Sequence, residues 1–78
     1  MVKSMTAKEM FQKIGYNQTI CNPGLICYYG KDVDGAMLWV SFDIEGQTFN
    51  IDRNDRPKDI TVSEFKAIQK QMEELGWL

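Results

Sequence analysis

Two helix-capping motifs, one near each end of the chain, limit most strongly what this sequence can fold into. Residues 6–9 (TAKE) and 61–64 (TVSE) both have the spacing of a capping box, in which the Thr hydroxyl accepts from the Glu amide and the Glu carboxylate accepts from the Thr amide. An apolar stripe follows each motif and ends at a glycine and an aromatic residue, as in a Schellman ending. The sequence therefore predicts helices over about residues 7–14 and 62–75.

The middle of the chain has the two-residue periodicity of β-strands. Leu, Val, Phe and Ile alternate with other residues over 37–44, and Glu45-Gly46 suits a two-residue hairpin turn. The register set by this turn pairs like with like: Phe42 with Phe49, Val40 with Ile51, Ser41 with Asn50 and Asp43 with Thr48. This agreement over several pairs predicts a β-hairpin.

Upstream, residues 22–25 (NPGL) have the composition of a type II turn, since Pro fixes φ and Gly accepts a positive φ. We expect this turn to join a short strand near 17–21 to a better one at 25–29, and 30–35 to form the loop into the next strand. The chain is thus predicted to be a single domain over residues 1–78. Its predicted fold is a two-layer α+β arrangement in the order α-β-β-β-β-α, with a four-stranded antiparallel meander and both helices on one face.

The composition excludes several classes of function. Of the 78 residues, 44% are apolar and none is a histidine, so the commonest residue of general acid–base catalysis and zinc binding is missing. A net charge of −2 disfavours a nucleic-acid backbone as partner. No apolar run is long enough to cross a membrane, and the N-terminus lacks the pattern of a signal peptide. We therefore expect a cytoplasmic, non-enzymatic protein without cofactor or metal.

The two cysteines flank the predicted turn. If the turn has two residues, strand alternation puts the thiols of Cys21 and Cys27 on opposite faces of the sheet, whereas a three-residue loop would bring them opposite each other. Their spacing matches no zinc signature. We expect reduced cysteines in a cytosolic protein.

Two carboxylate-rich segments invite comparison with ion sites. Residues 32–35 (DVDG) resemble part of a calcium loop, but Ser41 stands where the bidentate Glu is required. In 52–59, Asp and Asn side chains alternate with Arg and Lys, which predicts a solvated loop; a weak divalent-cation site is the alternative.

One face of the predicted sheet carries an apolar surplus. Pairing across the 30–35 loop puts Tyr28 opposite Met37 and Ile26 opposite Trp39, on the face that neither helix covers. A contiguous exposed apolar cluster usually marks an interface, so we predict that these four residues bind a partner, either another protein or a second copy of the chain. The alternatives are ordinary apolar exposure, partial cover by the N-terminal residues, and a one-residue slip in the loop, which would bury these residues instead.

The two ends of the chain resemble those of a known group of proteins. Residues 6–16 (TAKEMFQKIGY) and 60–77 (ITVSEFKAIQKQMEELGW) are similar to the start TAxEMFxxLGY and the end ITxxELxAIxxQxxELGW of small phage and prophage proteins of Gram-positive bacteria. The group has no established activity, so the resemblance assigns no site residues.

This resemblance implies a setting for the chain. Small accessory phage proteins often bind a host protein, and inhibitors of bacterial defence systems, including anti-CRISPR proteins, are among them. We therefore expect a phage accessory protein that binds and inhibits a host protein in the bacterial cytoplasm, such as a CRISPR-Cas component. One alternative is an oligomeric sponge for a small signalling nucleotide, held by Arg53, Asn54 and Arg56; another is a structural component of a phage assembly.

Overall fold

A computed structural model describes residues 5–32, 34–54 and 59–78 of the chain. Its elements follow the order α1 (Ala7–Lys13), β1 (Asn17–Thr19), β2 (Leu25–Lys31), β3 (Met37–Asp43), β4 (Thr48–Arg53) and α2 (Val62–Glu74). The strands form one antiparallel sheet in the order β1-β2-β3-β4. The predicted α+β meander between two helices is therefore confirmed. Among the described residues, no helix is long and apolar enough to span a membrane.

Local capping explains where both helices begin and end. At α1 the Glu9 carboxylate accepts from the Thr6 amide at 2.8 Å, and the Thr6 hydroxyl accepts from the Glu9 amide at 3.2 Å. The same reciprocal pair is present before α2. Gly15 ends α1 with a φ of 95°, and the Tyr16 amide donates back to the Phe11 carbonyl at 2.8 Å, as a Schellman ending requires. Each cap of this kind stabilises a helix by about 1 kcal/mol.

The β3–β4 hairpin has the predicted register but a different turn. Every pair matches, from Val40 with Ile51 to Asp43 with Thr48. The predicted two-residue turn at Glu45-Gly46 is wrong, because the strands separate after Asp43 and four residues, 44–47, connect them. The Gly46 amide donates to the Asp43 carboxylate at 3.0 Å, and Gln47 takes the left-handed conformation with a φ of 54°. The register is the same for the predicted two-residue turn and the observed four-residue connection, because both place Asp43 opposite Thr48.

The β2–β3 pairing differs from the prediction by three residues. Tyr28 lies opposite Val40 and Ile26 opposite Phe42, whereas the sequence predicted Met37 and Trp39 as their partners. The strands run as far as the pair Lys31–Met37, so the connecting loop is displaced toward β3. An odd shift moves every side chain of β2 to the other face relative to β3. Tyr28 and Ile26 therefore face the helices.

The type II turn at 22–25 is present, but β1 is shorter than predicted. The Leu25 amide donates to the Asn22 carbonyl at 3.1 Å, and Gly24 has the positive φ of 87° that this turn requires. Pairing nevertheless stops at Thr19, which lies opposite Cys27. Residues 20–24 thus form a wider connection than a tight hairpin turn.

The core lies between the sheet and both helices. Its centre is a stack of Phe11 from α1 on Tyr28 from β2, with ring centroids 4.0 Å apart. Val40, Phe42 and Ile68 complete the largest fully buried group. A close backbone crossing fixes the position of α1, since a Cβ on Gly30 would stand 2.8 Å from the Gly15 carbonyl oxygen. Both helices therefore cover the same face of the sheet, and neither of them lies on the opposite face.

Candidate functional site on the outer sheet face

We call the sheet surface that is turned away from α1 and α2 the outer face. Side chains that alternate with the core residues form it, and directly paired residues share a face. From β2 and β3 it takes four pairs of residues: Leu25 with Asp43, Cys27 with Ser41, Tyr29 with Trp39, and Lys31 with Met37. β4 adds the exposed polar residues Thr48, Asn50 and Asp52.

An aromatic pair occupies the middle of the outer face. The rings of Tyr29 and Trp39 lie with centroids 5.7 Å apart and planes tilted by 36°. Trp39 is 40% exposed, and Tyr29 is half-buried. Met37 and Leu25 are also half-buried and extend the apolar surface along the strands. Trp and Tyr are the residues most often found as anchors of protein interfaces, because each contributes a large rigid surface.

Charged side chains surround this apolar centre. Asp43 and Asp52 are exposed on the outer face, and the exposed Lys31 lies at the opposite end of β2–β3 from Asp43. Among the residues that the structure describes, two carboxylates and one ammonium give the rim an acidic balance. A binding surface with an apolar centre and a charged rim is the usual anatomy of a protein–protein interface.

The structure brings two of the four predicted site residues together on this face. Met37 and Trp39 lie on the outer face as predicted, but Tyr28 is 1% exposed in the core and Ile26 packs against the core. The prediction for Tyr28 and Ile26 is wrong because of the three-residue difference in register. Sequence-based prediction missed Tyr29 as a site residue. Consecutive strand residues point to opposite faces, so the alternation itself indicates that one of the two tyrosines, Tyr28 or Tyr29, lies on the outer face.

The cysteines are paired, which corrects the expectation of reduced thiols. Cys21 and Cys27 form a disulfide with their Cα atoms 6.3 Å apart. Strand alternation does not constrain Cys21, since it lies beyond the end of β1 at Thr19 and can reach the outer side of Cys27. The bridge closes a small ring next to the aromatic pair. The expectation of reduced thiols followed from an expected cytoplasmic location, which stays a prediction.

A second polar group lies on the helix side of the sheet. The Tyr16 hydroxyl donates to the buried Glu64 carboxylate, whose other oxygen accepts from the Thr61 amide at 2.9 Å. Burial, followed by the hydrogen bond to Glu64, raises the pKa of Tyr16 well above its ordinary value. The tyrosine therefore remains a neutral donor, and one carboxylate both caps α2 and ties it to the end of α1. A cleft of about 280 Å³ lies beside this pair, between Gly15 and Lys31.

The carboxylates that resemble part of a calcium loop bind an arginine instead. Asp32 lies 2.8 Å from the guanidinium of Arg53, and Asp34 forms a second ion pair with it. The Arg53 side chain is only 6% exposed, so a nucleotide phosphate cannot reach it in this arrangement. Arg56, the other arginine of the nucleotide hypothesis, lies outside the described residues. Within the described ranges, no group of three or more Cys, Asp or Glu side chains is placed to hold a metal ion.

Comparisons of this chain with protein-family models, with curated proteins and with solved structures find no match.

Proposed function

We propose that this chain is a non-enzymatic protein that acts by binding another protein through its outer face. The observation that carries the proposal is the Tyr29–Trp39 pair, which lies on a sheet surface that neither helix covers. Trp39 keeps 40% of its surface exposed even though its neighbour packs against it. Covering this pair with a partner would remove apolar area from water. The hydrophobic free energy gained is about 25 cal/mol for each Å² of apolar surface buried.

The surroundings of the pair support a rigid binding surface. Tyr29 and Trp39 lie on β2 and β3, the two central strands of the sheet. Anchors on paired strands lose little conformational freedom when a partner binds, which lowers the entropic cost of association. The acidic rim formed by Asp43 and Asp52 favours a partner whose contact surface is basic.

The resemblance of the chain ends to small phage and prophage proteins supports a bacterial host protein as that partner. On this proposal the chain is a phage accessory protein of the host cytoplasm, and it modulates its target, most simply by inhibition. Defence proteins that handle nucleic acids, such as CRISPR-Cas components, present the basic surfaces that an acidic rim complements. The role of the chain is then to occlude such a surface.

Affinity capture from the bacterial host, with mass-spectrometric identification, tests this proposal. The parent chain is compared with Trp39→Ala and with Phe65→Ala, a matched control that removes an aromatic residue, 55% exposed, from the helix layer. We expect a host protein whose recovery falls at least about tenfold with Trp39→Ala and stays unchanged with Phe65→Ala. Equal recovery with Trp39→Ala, or a loss confined to Phe65→Ala, would remove the outer face as the site.

A further inference from the structure

The edge strand β4 carries charges only at its end, on Asp52 and Arg53, so its first four residues, 48–51, have no charge to discourage edge-to-edge pairing. The other edge, β1, is only three residues long, whereas β4 has six and contains neither a proline nor a lysine. Native sheets commonly protect a long edge with such residues, with a bulge or with a covering segment. Thr48, Asn50 and Asp52 are exposed along β4, and Phe49 is 42% exposed. The edge therefore has room for another strand.

The backbone of β4 presents hydrogen-bonding groups to that side. The Asn54 amide donates to the Met37 carbonyl at 3.3 Å, in step with the β3–β4 register. Bonding in an antiparallel pair alternates from residue to residue, so the even-numbered residues of β4 bond to β3. The N–H and C=O groups of Phe49 and Ile51 therefore point away from β3, toward the open edge of the sheet.

We propose that a second copy of this chain adds its own β4 to this edge, antiparallel, with Asn50 on the twofold axis. In this register Phe49 of each copy lies opposite Ile51 of the other, so apolar residues meet and both exchange backbone hydrogen bonds. Thr48 meets Asp52, which keeps the two carboxylates of Asp52 apart. A pairing of this kind is isologous, since the same residues contribute from both sides.

The register with its twofold axis at Ile51 is less favourable. Moving the axis to Ile51 would place Phe49 opposite Arg53, whose guanidinium is already held by Asp32 and Asp34 on the helix-facing side. The apolar pairs of Phe49 with Ile51 would then be lost. The side chains of β4 thus favour the register about Asn50 over the register about Ile51.

This dimer goes beyond the proposed function and leaves its surface open. A twofold axis perpendicular to the sheet joins the four strands of each copy into one continuous sheet. The two outer faces then lie side by side and point in the same direction. Such a dimer would present two Tyr29–Trp39 pairs to a partner, and two linked binding surfaces increase overall avidity when both engage.

Sedimentation equilibrium on charge variants tests the proposal. We expect the parent to approach twice its monomer mass of 9.0 kDa with rising concentration. Asn50→Lys puts two like charges across the axis and should yield the monomer, while the control Thr48→Lys puts a charge opposite Asp52 and should preserve the dimer. Both residues are exposed, so the fold tolerates both changes. A monomeric parent, a dimeric Asn50→Lys or a monomeric Thr48→Lys would each overturn the proposal.

Cross-linking checks the register independently. Asn50 forms a non-hydrogen-bonded pair with its counterpart, the closest kind of antiparallel pair, at a Cα separation of about 4.5 Å that suits a disulfide. We expect Asn50→Cys to form a covalent dimer under mild oxidation and the parent, with its own two cysteines, to remain uncross-linked. The absence of the cross-link in Asn50→Cys, or a dimer abolished by Trp39→Ala, would assign any self-association to another surface and overturn the proposal.

Discussion

Trp39 lies directly across from Tyr29 on the outer face, with ring centroids 5.7 Å apart, and not across from Ile26. This pairing divides two consecutive tyrosines between two environments. Tyr28 stacks on Phe11 in the core and its hydroxyl donates to Gln71, while Tyr29 faces away from both helices. The same residue type thus serves folding at one position and, on our proposal, binding at the next.

The two tyrosines should respond differently to truncation. Tyr28→Ala removes a fully buried ring and should lower the free energy of unfolding by about 3–5 kcal/mol. Tyr29→Ala removes only one partner of an aromatic pair and should cost about 1 kcal/mol. Urea denaturation followed by circular dichroism measures both values. Similar losses for the two variants would contradict the β2–β3 register.

The helices and the β3–β4 hairpin could be predicted because their determinants are local. A capping box and a glycine ending fix a helix within a few residues of sequence. In the hairpin, matched pairs such as Val40 with Ile51 select one register over its neighbours. The turn was harder to predict, since Gln47 and not Gly46 takes the positive φ.

The β2–β3 register could not be predicted from local signals. Tyr28 and Tyr29 are equally amphipathic, so hydrophobicity does not decide which of them faces the core. Contacts with residues distant in sequence decide which tyrosine is buried. The ring of Tyr28 stacks on Phe11, and its hydroxyl donates to Gln71. The ion pairs of Arg53 with the loop after β2 are non-local in the same way. These contacts placed Tyr29, rather than Tyr28, in the candidate site.

The buried tyrosines make stability depend on pH in the alkaline range. Burial, with a smaller contribution from the charge of Glu74, raises the pKa of Tyr28 from 10.0 to about 12. The unfolded chain therefore loses this proton at lower pH than the folded protein. We expect stability to be unaffected by this group below pH 10 and to fall as the pH rises from 10.0 toward 12.

Denaturation series in this pH range measure the effect. Tyr28→Phe removes the ionisable hydroxyl and should make the decline less steep, although it also lowers stability at neutral pH through the lost bond to Gln71. An unchanged slope in Tyr28→Phe would show that this hydroxyl does not contribute to the dependence.

Gly30 should tolerate no side chain. A Cβ there would stand 2.8 Å from the Gly15 carbonyl oxygen, which is backbone and cannot rotate away. We expect Gly30→Ala to lower the free energy of unfolding by about 1–3 kcal/mol, as overpacking does. Gly46→Ala is a matched control, since its nearest neighbour is the movable Asp43 carboxylate at 3.0 Å, and it should cost less. A smaller loss for Gly30→Ala than for Gly46→Ala would contradict the packing of α1 on β2.

The Cys21–Cys27 bridge predicts that the purified chain carries no reactive thiol. Alkylation of the unfolded chain without reductant, read by mass spectrometry, should leave both cysteines unlabelled. Reduction should lower the free energy of unfolding by roughly 2 kcal/mol, the loop-closure value for a ring of this size. Labelling of both thiols before reduction would show that the pair is open.

The central claim is that the outer face binds a partner protein through Trp39. Calorimetric titration of the captured host protein with the parent, Trp39→Ala and Phe65→Ala tests it most directly. We predict that Trp39→Ala raises the dissociation constant by at least about 30-fold, the effect of losing a central interface anchor. Phe65→Ala should leave it within about twofold, as expected for an exposed residue outside the interface. A folded Trp39→Ala variant that binds as tightly as the parent would contradict the account.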